Sequence, residues 1–334
     1  MARTRTLTVL CSGLMAVSLT AALCLTTPVA VHADTVSAGT SPSSDPAYSV
    51  PTSALAAALS CPGGFTHPAH EPVLLVHGTG ATPAENWGWN YALVLPQLGW
   101  DVCTVALPGR ALGDIQVSAE YVVYAIRAMS AATGQKVEIL GHSQGPLEPR
   151  WALKWWPSLR SQVDDVVMMA APNHGTAIAN AALECTASCL QMKIGSNFLA
   201  ALNAGGETPA GPSYTSIYSL TDELVQPAAP VPTAALSGAS NILMQDICPD
   251  RIVEHVQFAS DAAVFAVVMD AFTHSGPAAA SRIDRSVCSQ TYFPGVNPST
   301  AFSITFNTWY QGWPSPAYSS TEPPVKCYAG GPCS

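Results

Sequence analysis

The sequence of 334 residues contains few charged side chains. Asp, Glu, Lys and Arg make up 10% of the residues, against about 25% in an ordinary soluble protein. Acidic residues outnumber basic ones by 22 to 13, and the formal net charge is −9. This balance argues against a nucleic-acid-binding protein, because that class is normally basic. Hydrophobic residues make up 48% of the chain, which is enough to bury a sizeable core.

Beyond the amino terminus the chain has no run of 18 apolar residues that could span a membrane. Residues 1–33 instead have the pattern of an export signal. Arg3 and Arg5 precede a mostly apolar stretch that is short for a membrane anchor, and Val-His-Ala then offers a signal-peptidase site. We therefore expect cleavage near Ala33, a secreted protein without a stable membrane anchor, and a flexible leader over 34–44.

Eight cysteines remain after the expected cleavage. An even number of cysteines in an exported chain is typical of disulfides, and eight cysteines allow 105 pairings. Zinc binding is the alternative, but the sequence has no CxxC pair and no Cys–His ladder with finger spacing. We expect disulfides, no metal and no cofactor. The eight cysteines are Cys61, Cys103, Cys185, Cys189, Cys248, Cys288, Cys327 and Cys333.

Short apolar runs alternate with stretches of helical periodicity along the chain. This alternation predicts an α/β fold with a mostly parallel central sheet covered by helices, over one domain at 45–334. The Ala-rich stretch at about 176–213 interrupts the pattern and is expected to form a helical cap or lid insertion. Strands are predicted at 72–76, 102–107, 136–140, 163–171, 216–220 and 241–246, and helices at 119–132, 151–156 and 256–272.

The pentapeptide at 141–145, Gly-His-Ser-Gln-Gly, has the form G-x-S-x-G. A predicted strand precedes it and a predicted helix follows it, which is the context of the nucleophile elbow in the α/β-hydrolase fold. A sharp turn there lifts the Ser143 hydroxyl above the sheet edge, and the two glycines let the strand and the helix pass closely. The alternative is a Gly-Ser turn without catalytic meaning. The context favours Ser143 as a nucleophile.

A nucleophilic serine needs a histidine base and a carboxylate that orients the base, and α/β-hydrolases place them in the order serine, acid, histidine. Three histidines follow Ser143. His174 comes before any strand that could supply the acid, whereas His255 lies between a predicted strand and a predicted helix. Asp222 follows a predicted strand and precedes His255. We therefore predict Asp222 as the acid and His255 as the base, with His274 as the alternative base and helix capping as the alternative role of Asp222.

The negative oxygen that develops during acyl transfer needs N–H donors aimed at it. One donor should be the amide of Gln144, directly after the nucleophile. The other should come from the Gly-rich loop at 78–80, in which Thr79 offers its backbone N–H and its hydroxyl. His77 is expected to shape this loop. Leu224 and Val225, just past Asp222, are expected to line the acyl pocket.

Several motifs between residues 44 and 260 are more specific than G-x-S-x-G. They are Ser-Asp-Pro-Ala-Tyr at 44–48, Leu-Val-x-Gly-Thr-Gly at 75–80, Gln-Val-x-x-Glu-Tyr at 116–121, Ser-Gln-Gly at 143–145, Trp-Trp-Pro-Ser at 155–158, and Tyr-x-x-Thr-Asp-Glu-x-Val-Gln-Pro at 218–227. Together these motifs resemble the Candida antarctica lipase B family. The resemblance implies an α/β-hydrolase that cleaves carboxylic esters, including triacylglycerols, without a metal.

The resemblance also implies roles for individual positions. It implies the same nucleophile, acid and base as the chain order, namely Ser143, Asp222 and His255, and it implies Thr79 and Gln144 as the oxyanion hole. It further implies the disulfides Cys61–Cys103, Cys248–Cys288 and Cys327–Cys333, which leaves Cys185–Cys189 as an added bridge.

The sequence departs from the family pattern in three places. His142 stands where the namesake lipase has Trp, which should reshape the alcohol side of the substrate pocket. The stretch 176–213 carries a cysteine pair that the namesake lacks. Pro149 lies beyond the expected first turn of the helix after Ser143, where it would remove a backbone donor.

The sequence therefore predicts a secreted serine ester hydrolase, a lipase in the first place, that acts through an acyl-enzyme on Ser143. Its partner is expected to be a lipid or another hydrophobic ester, met at an oil–water interface, with no nucleic acid involved and the protein a monomer. A broad-range carboxylesterase, a polyesterase or a phospholipase would use the same three residues. A hydrolase-fold protein that only binds ligands is the alternative from another class.

Overall fold

The computed structural model describes residues 44–310 and 317–333, and for residues 305–310 it describes the backbone alone. The expected export signal at 1–33 and nearly all of the leader at 34–44 lie outside the described residues. Within those residues, none of the helices combines the length and the apolar character needed to cross a membrane.

The described residues form one seven-stranded sheet. Its strand order is β1-β3-β2-β4-β5-β6-β7, and every neighbouring pair is parallel except β1 with β3. The mostly parallel sheet predicted from the sequence is thus confirmed. The strands are β1 Leu59–Ser60, β2 Val73–Val76, β3 Val102–Val105, β4 Val137–His142, β5 Val163–Met169, β6 Ser213–Tyr218 and β7 Ser240–Leu243.

Helices cover both faces of this sheet. The α-helices are α1 Thr52–Ala58, α2 Pro83–Trp87, α3 Tyr91–Val94, α4 Ile115–Thr133, α5 Leu147–Trp155, α6 Ala177–Ala181, α7 Ala187–Gln191, α8 Asn197–Asn203, α9 Met244–Ile247, α10 Ala262–Thr273 and α11 Pro298–Tyr310. Short 3-10 turns connect several of them, including one at His255–Ala259.

Two apolar cores follow from the alternation of side chains along the strands. Leu74 and Val76 of β2 face one side, where they pack with buried residues of α4 and α5. Val73 and Leu75 face the other side and pack with α10. Because both faces are covered, β2 is apolar at every position, which explains why its sequence lacks polar alternation.

Several local features differ from the sequence predictions. The strand expected at 241–246 ends at Leu243, and the residues after it form α9. The antiparallel strand β1 was not predicted, because two residues at a sheet edge carry no period. The strand expected at 216–220 occupies Ser213–Tyr218. The helix after Ser143 begins at Leu147, so Pro149 is its third residue. A backbone N–H at that position has no helical carbonyl to bond, and Pro149 therefore costs the helix nothing there.

The stretch predicted as a cap lies between β5 and β6 and contains α6, α7 and α8. It begins against the loop that follows β6. The hydroxyl of Thr176 donates to the carbonyl of Leu224 at 2.5 Å, and the amide of Gln226 donates to the Thr176 hydroxyl at 3.1 Å. Movement of this stretch as a lid stays a prediction.

Four disulfides join all eight cysteines of the described residues. They have the pairing that the resemblance implies, Cys61–Cys103, Cys185–Cys189, Cys248–Cys288 and Cys327–Cys333.

Candidate active site

Ser143 occupies the sharp turn between β4 and α5. Its φ is 60°, a left-handed conformation that non-glycine residues rarely adopt and that is typical of functional turns. The two glycines of the motif are required by space. A Cβ on Gly145 would lie 2.2 Å from the carbonyl oxygen of Val76, and a Cβ on Gly141 would lie 2.7 Å from the Pro146 nitrogen. The strand and the helix can therefore approach only because these positions lack side chains.

A row of hydrogen bonds connects this serine to a histidine and an aspartate. His255 Nε2 lies 2.8 Å from Ser143 Oγ. On the other side of the ring, His255 Nδ1 lies 3.1 Å from each carboxylate oxygen of Asp222. His255 comes from the turn before α10 and Asp222 from the loop after β6, so the three side chains meet at the carboxyl end of the sheet. This is the geometry in which a histidine can take the proton of a serine.

Hydrogen bonds hold Asp222 in its charged form. Burial by itself would raise the pKa of Asp222, but the charge and the hydrogen bond of His255 bring the pKa below its ordinary value. The backbone amides of Leu224 and Val225 add to this effect, because both donate to Oδ1 at 2.9 Å. A carboxylate that accepts several N–H groups stays ionised even when buried.

The contact between Asp222 and His255 also sets the basicity of the histidine. Burial would lower the pKa of His255, but the nearby carboxylates of Asp222 and Glu223 raise it above its ordinary value. Glu223 does not compete for the ring, because its Oε2 accepts the backbone N–H of His255 at 3.1 Å. The other two histidines after Ser143 have different partners: His174 pairs with Glu207 and His274 with Asp270.

The Gly-rich loop after β2 lies directly beside the nucleophile. A Cβ on Gly78 would lie 2.8 Å from the Cβ of Ser143, so only glycine allows this approach. The Gly78 amide donates to Asn86 Oδ1 at 2.9 Å, which fixes the loop. The hydroxyl of Thr79 donates to Gln144 Oε1 at 2.6 Å. Thr79 and Gln144, the two residues predicted for the oxyanion hole, are therefore in contact.

His77 and His142 are both buried and neutral near this loop. Burial lowers the pKa of His77 to about 4 and that of His142 to about 3. His77 contacts the Gly78 carbonyl and accepts the Leu107 amide, as expected for a residue that shapes the loop. His142 Nε2 lies 2.9 Å from the backbone carbonyl of His255. The ring predicted to shape the alcohol side of the pocket therefore also supports the segment that carries His255.

Leu224 and Val225 follow Asp222, as their position in the sequence requires. Val225 is buried and Leu224 is half-buried. Their amides hold the Asp222 carboxylate, a role that the sequence did not indicate. Contact of their side chains with an acyl chain stays a prediction.

Sequence analysis missed Glu148 in the first turn of α5. The side chain is fully buried, and its Oε1 accepts a hydrogen bond from Gln144 Nε2 at 2.8 Å. The spacing of four residues between Gln144 in the turn and Glu148 in the helix was the available signal. Nothing in the sequence indicated that the two side chains would be buried together.

Three carboxylates gather at the opposite, amino-terminal end of the sheet. One oxygen each of Glu138, Asp164 and Asp165 lies within 4.8 Å of the others. Burial and mutual repulsion raise the pKa of Glu138 to about 9 and that of Asp165 to about 7. Lys136 Nζ donates to Asp164 at 2.6 Å. Protons and Lys136 thus balance the charge of this cluster within the chain itself.

The sheet order, the left-handed serine after β4 and the serine–histidine–aspartate row together define an α/β-hydrolase. Comparison with known proteins narrows the class. The family described as lipase (class 2) matches residues 119–261. Lipase B of Pseudozyma antarctica is 39% identical over 221 residues, which are 64% of this chain and 64% of that protein. The chain thus spans slightly less than two thirds of the length of this curated relative.

Solved structures agree with this result. The crystal structure of Aspergillus fumigatus lipase B superimposes with a TM-score of 0.80 at 32% identity, over 86% of this chain and 74% of that chain. A Bacillus licheniformis lipase in its propeptide form has a TM-score of 0.54 at 17% identity, over 66% of this chain and 54% of that chain, and supports the fold alone. The chain belongs to the lipase B family, which confirms the resemblance found in the sequence.

Proposed function

We propose that this protein is a secreted serine ester hydrolase of the lipase type. Ser143 is the nucleophile, His255 the general base, and Asp222 the acid that orients the histidine. The observation that carries the proposal is the unbroken row of hydrogen bonds from Ser143 through His255 to Asp222 at a left-handed turn. Membership of the lipase B family supports a carboxylic ester as the substrate.

The reaction proceeds by acyl transfer. Ser143 Oγ attacks the ester carbonyl while His255 Nε2 takes its proton, and Asp222 stabilises the resulting imidazolium through Nδ1. His255 then gives the proton to the departing alcohol, which leaves an acyl group on Ser143. Water attacks that acyl group in a second step, with His255 again as base, and releases the carboxylic acid.

Backbone N–H groups stabilise the negative oxygen of each tetrahedral intermediate. The amide of Gln144 lies at the start of the segment leading into α5, and the amide of Thr79 lies in the loop beside Ser143. Their position next to the nucleophile supports Thr79 and Gln144 as the oxyanion hole.

Exposed apolar side chains support a hydrophobic ester as substrate. Ile178, Leu183 and Ile194 are large hydrophobic residues on the insertion and are exposed to solvent. The insertion starts against the loop that carries Asp222, where Thr176 bonds Leu224 and Gln226. Leu224 and Val225 line the acyl side of the pocket and His142 the alcohol side. The protein acts as a monomer on lipid esters at an oil–water interface.

Disulfide pairing supports secretion. Every cysteine of the described residues is paired, which is typical of an oxidising compartment. The signal directs export and is removed by cleavage near Ala33.

Initial rates on p-nitrophenyl esters with acyl chains of two to sixteen carbons test this function. We expect hydrolysis that extends to long chains, and loss of about 10⁴-fold or more in kcat for Ser143→Ala. Ser161→Ala is the matched control, because this serine is exposed and bonds only a neighbouring carbonyl. Hydrolysis of short chains alone would favour a carboxylesterase. Unchanged turnover in Ser143→Ala would refute the mechanism.

A further inference from the structure

A buried chain of hydrogen bonds runs from α5 to the Gly-rich loop. Gln144 Nε2 donates to Glu148 Oε1 at 2.8 Å, and Thr79 Oγ1 donates to Gln144 Oε1 at 2.6 Å. Glu148 and Gln144 are both fully buried. The other carboxyl oxygen of Glu148, Oε2, is also buried and has no hydrogen-bond partner. The acyl-transfer steps proposed above involve neither the Glu148 side chain nor the Gln144 side chain.

The direction of the chain decides what the Thr79 hydroxyl can do. In the direction just described, its proton is committed to Gln144. Only backbone N–H groups then remain to face the oxyanion. If the amide of Gln144 turned over, its NH₂ group would donate to Thr79 Oγ1 instead. The Thr79 hydroxyl would then be free to donate its proton to the substrate oxygen as an additional donor.

The reversed direction requires a donor at Glu148. After the turn, Gln144 Oε1 faces Glu148, and only a protonated carboxyl group can donate to it. A carboxylate accepts hydrogen bonds but cannot donate them, so ionised Glu148 permits only the direction that commits the Thr79 hydroxyl to Gln144. One proton on Glu148 is therefore the condition for an oxyanion hole that includes the hydroxyl of Thr79.

We propose that Glu148 is a positioning residue of the oxyanion hole, which donates to Gln144 and thereby frees the Thr79 hydroxyl for the substrate oxyanion. The inference rests on the proposed function, since it concerns the same acyl transfer. It adds a residue that touches neither the substrate nor Ser143. Ionisation of Glu148 closes this path and thereby slows the reaction.

The surroundings of Glu148 favour its protonated form. A buried carboxylate oxygen without a partner is costly, whereas a neutral carboxyl group leaves no unpaired charge. Burial raises the pKa of Glu148 to about 8, against the opposing hydrogen bond from Gln144. The protonated form is then available at neutral pH and is lost as the pH rises above about 8.

The charged and titratable groups of the neighbouring elements are engaged elsewhere. On α5 itself, Arg150 donates to Asn173 and Asn203. On α4, Glu120 accepts from Ser49 and Val50. Lys154 of α5 donates to the carbonyls of Leu202 and Ala204, and Arg127 of α4 pairs with Asp45. Near the loop lie the neutral His77 and His142, the Arg110–Glu85 ion pair, and His255 with Asp222.

To test the proposal, kcat for the hydrolysis of a short water-soluble ester is measured between pH 6 and pH 10 for the wild-type protein and three variants. For wild type we expect kcat to fall by about tenfold to hundredfold above pH 8, with KM little changed, because only the transition state carries the oxyanion. Glu148→Gln should keep the activity found at pH 7 throughout, since a Gln side chain can donate at every pH. Thr79→Val should be slow at pH 7 and show no further fall, so that wild type converges on it at pH 10.

Glu138→Gln is the matched control. This carboxyl group is also buried with a raised pKa, but it lies at the opposite end of the sheet. It should retain the wild-type fall in kcat. Circular dichroism at each pH keeps loss of folding apart from loss of rate.

Each outcome decides the question. The proposal would be overturned if kcat of Glu148→Gln fell above pH 8 as much as that of wild type, or if kcat of Thr79→Val fell there at all. A wild-type kcat that stays level to pH 10 would also overturn it. If Glu148→Gln fails to fold, the Thr79→Val profile decides alone. A failure of the proposed function is distinguished by Ser143→Ala, whose activity would then equal that of wild type at pH 7.

Discussion

Two carboxyl groups, Asp222 and Glu138, are equally buried at opposite ends of one sheet, each with 2% of its surface exposed. The pKa of Asp222 lies below its ordinary value, whereas that of Glu138 is raised to about 9. Asp222 faces the ring of His255 and two backbone amides. Glu138 receives one amide, from Asp165, and lies beside two other carboxyl groups. Partners rather than burial therefore decide the charge of these groups.

The two ends of the sheet hold their buried carboxyl groups in different charge states. At the site end of the sheet, Asp222 keeps its negative charge next to His255, the proposed base. At the opposite end, burial and neighbouring carboxyl groups keep Glu138 protonated, and it accepts the amide of Asp165. Glu148 lies near the site, but like Glu138 it is buried and its pKa is raised.

The largest expected effect comes from the same chemical change made at both ends. Asp222→Asn should lower kcat/KM by about 10³–10⁴-fold, because a neutral amide neither stabilises the imidazolium nor holds the required tautomer of His255. Glu138→Gln should leave kcat/KM within about twofold, because it lies outside the site. The measurement is kcat/KM on p-nitrophenyl butyrate at pH 7.5. Comparable losses in the two variants would break the comparison.

The acid side of the pH profile gives the next effect. His255 must be neutral to accept a proton, and its pKa is raised mainly by Asp222. The value of kcat/KM should therefore fall as the pH drops and His255 becomes protonated, with a midpoint above 6.5. We use kcat/KM because its pH dependence reports groups of the free enzyme. In Asp222→Asn the residual activity should have a lower midpoint, because the attraction is gone. A midpoint that stays in place in Asp222→Asn, or moves in Glu138→Gln, would contradict this origin of the shift.

The smallest effect concerns stability. The pKa of Glu138 is about 9 in the folded protein and near 4.5 when unfolded, so between these values the folded state holds a proton that the unfolded state has lost. The free energy of unfolding therefore falls as the pH rises through this window. Glu138→Gln removes this fall in the free energy of unfolding. We therefore expect the Tm of the variant to exceed that of wild type by about 5 °C at pH 8. The gain should vanish at pH 4, and scanning calorimetry at both pH values measures it.

Local motifs made much of the site predictable. The turn around Ser143 depends on neighbours within a few residues, and its two glycines are required by contacts that any strand–turn–helix unit of this kind must make. The order of serine, acid and histidine along the chain then left few candidates, which is why Asp222 and His255 could be predicted before any geometry was known. Each of these arguments needed only sequence order and residue type.

Other features could not be predicted, because they depend on contacts between distant segments. The two residues of β1 are a strand only because β3 lies beside them. His142 supports the carbonyl of His255 from 113 positions away. The role of Glu148 depends on its burial beside Gln144 and on the approach of Thr79 from a loop 65 positions earlier. None of these contacts leaves a periodic pattern.

The sequence by itself determined the α/β architecture and the serine turn and led to the three proposed site residues, because period, glycine placement and chain order can be read along the chain. Only the tertiary structure decided the charge of each buried group. The pKa of Asp222, Glu138 or Glu148 depends on which amides, rings and carboxyl groups surround it after folding, and residue type alone does not specify that environment.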